Sequence, residues 1–222
     1  MQNKILYRIF PSILSADFMH LGDEISALIA AGADMLHLDI MDNHYVPNLT
    51  FGPGLCAAIH KNFPHLKLDV HLMTIPTDDL IEKFAKNGAC RISIHPNATL
   101  HLDRSIQLIK CLNCKAGVTL NPSASIDEIK WCAHNLDFVM LMTVNPGYGG
   151  QSLIKEIIPK ITELKNLYKN IKICVDGGVG IDNIHTLAAA GAQDFVVGSS
   201  IFNNKDYANA IASLRQKLQV NL

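Results

Sequence analysis

Ala30-Ala-Gly-Ala-Asp-Met-Leu-His-Leu-Asp39 decides the fold. It reads as a helix that stops at Gly32, followed within a few residues by a buried strand. The same rhythm returns in Ala189-Ala-Gly-Ala-Gln-Asp-Phe-Val-Val197 and in Asn87-Gly-Ala-Cys-Arg-Ile-Ser-Ile94. Each time glycine falls where the left-handed conformation ends a helix, a conformation that glycine adopts cheaply. This is the passage from helix to strand in a parallel sheet.

Working outward, β-rich runs at 9–12, 35–40, 67–72, 91–95, 115–120, 138–142, 172–175 and 195–197 alternate with stretches of helical pattern. Those helical stretches cover 18–31, 54–61, 77–87, 100–110, 126–135, 153–168, 181–190 and 207–218. Ile25, Leu28 and Ile29 illustrate their spacing of three and four. Eight strands, each followed by a helix, predict an α/β fold: a single (β/α)8 TIM barrel of eight parallel strands over residues 1–222. An open doubly wound sheet is the competitor, because local patterns do not reveal closure. No interior linker marks a second domain.

Apolar residues make up 49% of the 222, enough for a substantial core, and the formal net charge is −1 with no run of like charges. That balance speaks against a nucleic-acid surface or a polybasic membrane contact. No apolar segment approaches the roughly 20 residues that span a bilayer, and Met1 to Phe10 lacks the marks of a signal peptide. The expected location is cytoplasmic. Six scattered cysteines read as reduced thiols, Cys111-Leu-Asn-Cys114 included, since no second pair follows.

The chemistry stands at strand ends. Side chains alternate along a strand, so His37 and Asp39 share one face, as do Asp69 and His71. In a barrel, residues at the carboxyl ends of strands surround the active site. His37, Asp39, His71 and Asp176 then converge from different strands. Imidazole and carboxylate suit one divalent cation: iron(II), zinc, manganese or cobalt. Asp69, one layer below His71, reads as an orienter of a ligand. His95 could line the same mouth or serve a turn, and Asp42 suits a turn.

Two aspartates beside a cation fit proton transfer next to a carbonyl. The cation stabilises the developing enediolate, one carboxylate removes a proton from one face and the other returns one to the opposite face. Met41, Met73 and Met142 leave the strands nearby and predict an apolar cap that excludes water. Three glycine-rich loops follow: Gly147, Tyr148, Gly149 and Gly150; then Gly177 and Gly178; then Gly198 with Ser199. Their backbone N–H groups can approach a phosphate closely. Ser12 can donate a hydroxyl to substrate or cap a turn, the latter suiting Ser15 better.

At these residues the chain resembles the ribulose-phosphate 3-epimerase family. Pro11-Ser-Ile-Leu-Ser-Ala-Asp-Phe18, His37-Leu-Asp-Ile-Met-Asp-Asn-His-Tyr-Val-Pro-Asn48, Asp69-Val-His-Leu-Met73, Asn145-Pro-Gly-Tyr-Gly-Gly-Gln151 and Val175-Asp-Gly-Gly-Val179 carry the likeness, which covers nearly the whole chain. The resemblance implies metal-dependent epimerisation of D-ribulose 5-phosphate to D-xylulose 5-phosphate at C3. It implies His37, Asp39, His71 and Asp176 as metal ligands, Asp39 as proton acceptor and Asp176 as proton donor. Ser12 and His71 would touch the sugar; Gly147, Tyr148, Gly149, Gly150, Gly177, Gly178, Gly198 and Ser199, with Asp176, complete the substrate contacts. Tyr148 replaces the family's more usual Phe. The expected partner is a small-molecule ketose phosphate, and the expected assembly a homo-oligomer. Alternatives are an epimerase of another ketose phosphate such as D-allulose 6-phosphate, a barrel lyase, or a non-catalytic sugar-phosphate binder.

Overall fold

A computed structural model describes residues 7–219; the first six and last three residues of the stretch 1–222, and most of Met1 to Phe10, lie outside it. The strands are β1 (Arg8–Pro11), β2 (Leu36–Met41), β3 (Leu68–Met73), β4 (Ala89–Ile94), β5 (Lys115–Leu120), β6 (Phe138–Met142), β7 (Lys172–Asp176) and β8 (Asp194–Val197). The helices are α1 (Leu21–Ala30), α2 (Pro53–Asn62), α3 (Asp78–Lys86), α4 (Leu102–Cys111), α5 (Ile158–Leu167), α6 (Ile184–Ala190), α7 (Ser199–Phe202) and α8 (Tyr207–Gln219).

All strand pairs are parallel, and β1 pairs with β8 along four residues, Arg8 with Asp194 through Pro11 with Val197. The sheet thus curls into a barrel, and its seam lies between β1 and β2. One bridge, Ser12 with His37, joins those strands. Asp34 stitches the seam lower down: Ile9 N–H donates to its carboxylate at 2.7 Å, and its own N–H donates to Ile9 O at 3.1 Å.

Every residue of β2 and β3 is buried, as expected of parallel strands covered on both faces. Leu36, Leu38, Ile40, Val70 and Leu72 face the helices and join the main apolar layer. Burial of such a side chain is worth about 1.5–3 kcal/mol. The opposite faces fill the barrel interior with Phe10, Met35, Phe138, Met140, Cys174 and Val196. Gly32, Gly88 and Gly191, the glycines of the three repeats, all have positive φ (81°, 102° and 123°).

One connection departs from the helical reading. Residues 126–135 form two 3-10 turns, Ile126–Ile129 and Ala133–Asn135, rather than an α-helix. Buried Ile126, Ile129 and Cys132 recur every third residue, the period of a 3-10 turn, and the bonds run accordingly, Cys132 N–H to Ile129 O and Asn135 N–H to Cys132 O. The stretch 18–31 likewise opens with a 3-10 turn at Phe18–His20, and 153–168 with one at Lys155–Ile157. The short α7, directly after β8, has no counterpart in the sequence reading.

Candidate functional site

The register of neighbouring strands brings the polar residues together. Along β2 and β3, His37 pairs with Asp69, Asp39 with His71 and Met41 with Met73; along β6 and β7, Met142 pairs with Asp176. Because alternate residues face the interior, these pairs meet inside the barrel near its carboxyl end.

His37 Nε2, Asp39 Oδ1, His71 Nδ1 and Asp176 Oδ2 form a compact group. His37 Nε2 is 3.4 Å from Asp39 Oδ1 and 3.8 Å from Asp176 Oδ2, while His71 Nδ1 is 3.7 Å and 3.6 Å from the same oxygens. All four residues are buried, and one ligand atom from each lies within 4.8 Å of the others. Both imidazole nitrogens that face the group lack a hydrogen-bond partner. Two orphaned acceptors and two carboxylates around one point could hold a metal ion, and the donor set suits a divalent cation.

The remaining polar atoms hold these four side chains in place. His37 Nδ1 lies 2.9 Å from Asp69 Oδ2, and Ser12 Oγ donates to Asp39 Oδ2 at 2.5 Å. Thr143 grips the backbone of Asp176: its N–H donates to Asp176 O at 2.7 Å and its hydroxyl to the same oxygen at 3.0 Å. His71 Nε2 meets His95 Nε2 at 2.8 Å. Tyr45 stacks on His95, ring centroids 4.5 Å apart.

Burial disfavours charge on each of these groups. At His37 the carboxylates of Asp39 and Asp69 outweigh it and hold the imidazolium well above the ordinary histidine value. His71 is raised by Asp176 and Asp39 against the same burial penalty. Burial pushes the Asp39 carboxyl up, but His37 and His71 bring it far below the usual carboxylate range. Burial, then the charge on His71, pushes His95 well down. A cation held here would displace protons from His37 and His71.

A cleft opens above the group, lined by Ser12, Asp39, Met41, Met73, Met142 and Asp176. Gly147, Tyr148, Gly149, Gly150, Gly177, Gly178, Gly198 and Ser199 line its other end. His37 and His71 are fully buried and lie beneath the floor of the cleft rather than among its lining residues. Asp42 serves its turn, accepting from the N–H groups of His44, Tyr45 and Ile75. Ser12, not Ser15, caps the turn after β1, its hydroxyl accepting from Leu14 N–H at 3.3 Å.

The loop of residues 145–151 is tied down at several points. Gln151 donates to Asn145 O at 2.7 Å and Tyr148 O at 2.8 Å. Asn48 donates to Gly147 O at 2.8 Å, and Tyr148 hydroxyl to Pro47 O at 2.5 Å. The loops after β2 and β6 therefore meet over the cleft. Sequence reasoning missed Thr143, Asn48, Arg91 and Asp194. An asparagine followed by Leu-Thr in a polar loop carries no signal of its own.

Among the described residues no helix is long and apolar enough to cross a membrane. The crystal structure of KGPDC from Streptococcus mutans superposes with a TM-score of 0.72 at 15% identity, over 96% of this chain and 98% of that one. At that identity the likeness shows the fold, a TIM barrel. The ribulose-phosphate 3-epimerase of Serratia marcescens is 48% identical over 205 residues, 90% of this chain and 98% of the relative. That of Escherichia coli (strain K12) is 45% identical over 216 residues, 96% of each. A family profile described as "Ribulose-phosphate 3 epimerase family" matches residues 8–202. The chain belongs to the ribulose-phosphate 3-epimerase family.

Proposed function

We propose that this chain interconverts D-ribulose 5-phosphate and D-xylulose 5-phosphate by moving a proton at C3, with His37, Asp39, His71 and Asp176 holding one divalent cation. The observation that carries the reading is the division of labour within the buried group. Both histidines lie under the floor, and the two aspartates, from β2 and β7, reach the cleft from different sides.

The bound cation supplies positive charge where negative charge develops on the substrate oxygens. Everything else falls to side chains. Asp39 Oδ1 faces the histidines and Oδ2 accepts from Ser12, so Oδ2 is the oxygen placed to take a proton. Asp176 turns Oδ2 to the histidines, leaving Oδ1 to carry the proton that is returned. In one direction Asp39 takes the C3 proton while protonated Asp176 gives one to the opposite face; in reverse the roles exchange. Met41, Met73 and Met142 exclude water from the carbanion between the two steps. The glycine-rich loops and Ser199 hold the phosphate through backbone N–H groups. Ser12 reaches the sugar.

Iron(II), zinc, manganese and cobalt all suit the donor set. The whole chain acts as one catalytic domain, in the cytoplasm, where its cysteines stay reduced; all six are free thiols. A homo-oligomer is supported by exposed apolar side chains around the mouth, Met19 at 87% and Leu49 at 72% among them.

The test adds D-ribulose 5-phosphate in deuterated water to protein stripped of metal and reloaded with each ion in turn, followed by NMR. Deuterium at C3 of newly formed xylulose 5-phosphate, only in loaded samples, is the expected result. Turnover of allulose 6-phosphate with none of the pentose phosphate would move the assignment to the longer sugar. No exchange with any ion on either sugar would overturn it.

A further inference from the structure

A chain of buried charges runs from His37 down to the amino-terminal end of the barrel. Asp69 is fully buried; beside its contact with His37 Nδ1, its other oxygen, Oδ1, lies 2.8 Å from Arg91 Nε. Arg91 Nη1 donates to Asp194 Oδ2 at 2.7 Å, and Arg8 Nε donates to Asp194 Oδ1 at 2.7 Å. Charges thus alternate from Asp69 to Arg91 to Asp194 to Arg8.

Placing a guanidinium inside a barrel costs several kcal/mol unless its surroundings are built for it. Here they are. Its Cζ lies 3.7 Å from the centroid of Phe138 and 5.0 Å from that of Phe10, so both rings make cation–π contact with it. The Phe138 ring can lie there because residue 117 is glycine; a Cβ at Gly117 would come within 2.2 Å of Phe138 Cζ. Three strands therefore contribute to fixing Arg91 in one orientation. A core that needed only volume could fill this space with leucine.

We propose that Arg91 is a positioning residue of the metal centre: it locks Asp69, which keeps the proton on Nδ1 of His37 and aims the bare Nε2 at the ion. The inference rests on the metal-centre reading above. Arg91 does not touch the cleft. Its effect passes through Asp69, as orientation and basicity of a ligand imidazole do through its outer partner. Lysine cannot replace it, because a point charge fixes only one oxygen of one carboxylate, whereas the fork spans Asp69 and Asp194 together.

The experiment measures zinc affinity by competition with a chromophoric chelator, for the wild type, Arg91→Lys and the double variant Arg91→Met/Asp194→Val. The double variant removes opposite charges together and leaves Arg8, 21% exposed, able to reach water. Its metal-free fold is checked by circular dichroism and thermal unfolding. Wild-type zinc binding at one ion per chain tests the metal-centre reading by itself; failure there is separate from failure of the variants. Zinc affinity is expected to fall about 10–100-fold in the double variant and by a smaller factor in Arg91→Lys. In zinc-loaded protein labelled with ¹⁵N-histidine, the slowly exchanging Nδ1–H signal of His37 should be present in the wild type and exchange faster in both variants. Wild-type affinity and an unchanged His37 signal in variants of lowered melting temperature would overturn the proposal and leave Arg91 a structural ion pair.

Discussion

His71 Nε2 lies 2.8 Å from His95 Nε2, with both rings fully buried, so one ring must donate and the other accept. His71 Nδ1 faces the carboxylates of Asp39 and Asp176 and must be bare to hold a cation. Its N–H then sits on Nε2 and donates to Nε2 of His95, a ring that burial keeps neutral. The two imidazoles are thus oriented differently, His37 by a carboxylate and His71 by a neutral ring. His95→Leu leaves a buried N–H without an acceptor, a cost of about 1–3 kcal/mol. We expect zinc affinity to fall roughly tenfold or more in His95→Leu and to be largely kept in His95→Gln, whose amide oxygen accepts. Equal affinity in both variants, measured by chelator competition, would show that the contact orients nothing.

Gly178, at φ 63°, is hemmed in by backbone: an added Cβ would stand 2.5 Å from Leu153 N and 2.9 Å from Gln151 O. Gly178→Ala must therefore shift the loops after β6 and β7 together, with strain of about 1–3 kcal/mol. If those loops hold the phosphate, KM for the sugar phosphate and the inhibition constant of inorganic phosphate should rise in parallel, roughly tenfold for each 1.4 kcal/mol of binding lost, with kcat changed less. Unchanged values in a destabilised but folded variant would take the phosphate away from this loop.

Tyr148 hydroxyl, bonded to Pro47 O, gives this chain a tie that the family's more usual Phe cannot make. Tyr148→Phe removes that bond and keeps the ring. The expected loss is about 0.5–1.5 kcal/mol in holding the loop over the cleft, seen as a raised KM and faster amide hydrogen exchange at residues 147–150. Exchange equal to the wild type would count against a latch.

Asp42 accepts from Ile75 N–H at 2.7 Å, Tyr45 N–H at 2.9 Å and His44 N–H at 2.8 Å. Partial burial pushes its carboxyl up, but these three bonds outweigh it and leave the value below the ordinary 3.8. A lowered folded value means stabilisation that is complete above 3.8 and lost as pH falls through the folded value. Between about pH 5 and pH 3 the wild type should therefore lose more of its melting temperature than Asp42→Asn does. A parallel decline in the two proteins would exclude Asp42 from the acid response.

The site is legible in the sequence where strand alternation and register do the work. His37 and Asp39 must share a face, and Asp69 lies opposite His37 once β2 and β3 pair in parallel. The reading fails where partners are chosen across the barrel. Arg91 and Asp194 stand on strands distant in the chain, and each alone looks like a polar residue at a strand edge. Nor does the sequence distinguish Ser12 from Ser15 as the cap, since both offer a hydroxyl before an apolar turn. In the fold, the repeats ending in Gly32, Gly88 and Gly191 predict the helix-to-strand passages, whereas α7 is too short to show a period. Residues 126–135 mislead because spacings of three fit both kinds of helix.

Pairing of β1 with β8 has a consequence for synthesis. Ser12, the donor to Asp39, is held in place by the last strand: its N–H donates to Val197 O at 3.0 Å. On a ribosome, residue 12 is made some 185 residues before its partner, the interval between Ser12 and Val197. Such a distant pairing carries a large loop-closure cost and forms late. The first strand therefore waits, and a nascent chain that already contains His37, Asp39, His71 and Asp176 has no last strand to hold Ser12 against Asp39. Assembly of the last strand completes the barrel around the buried histidines and aspartates.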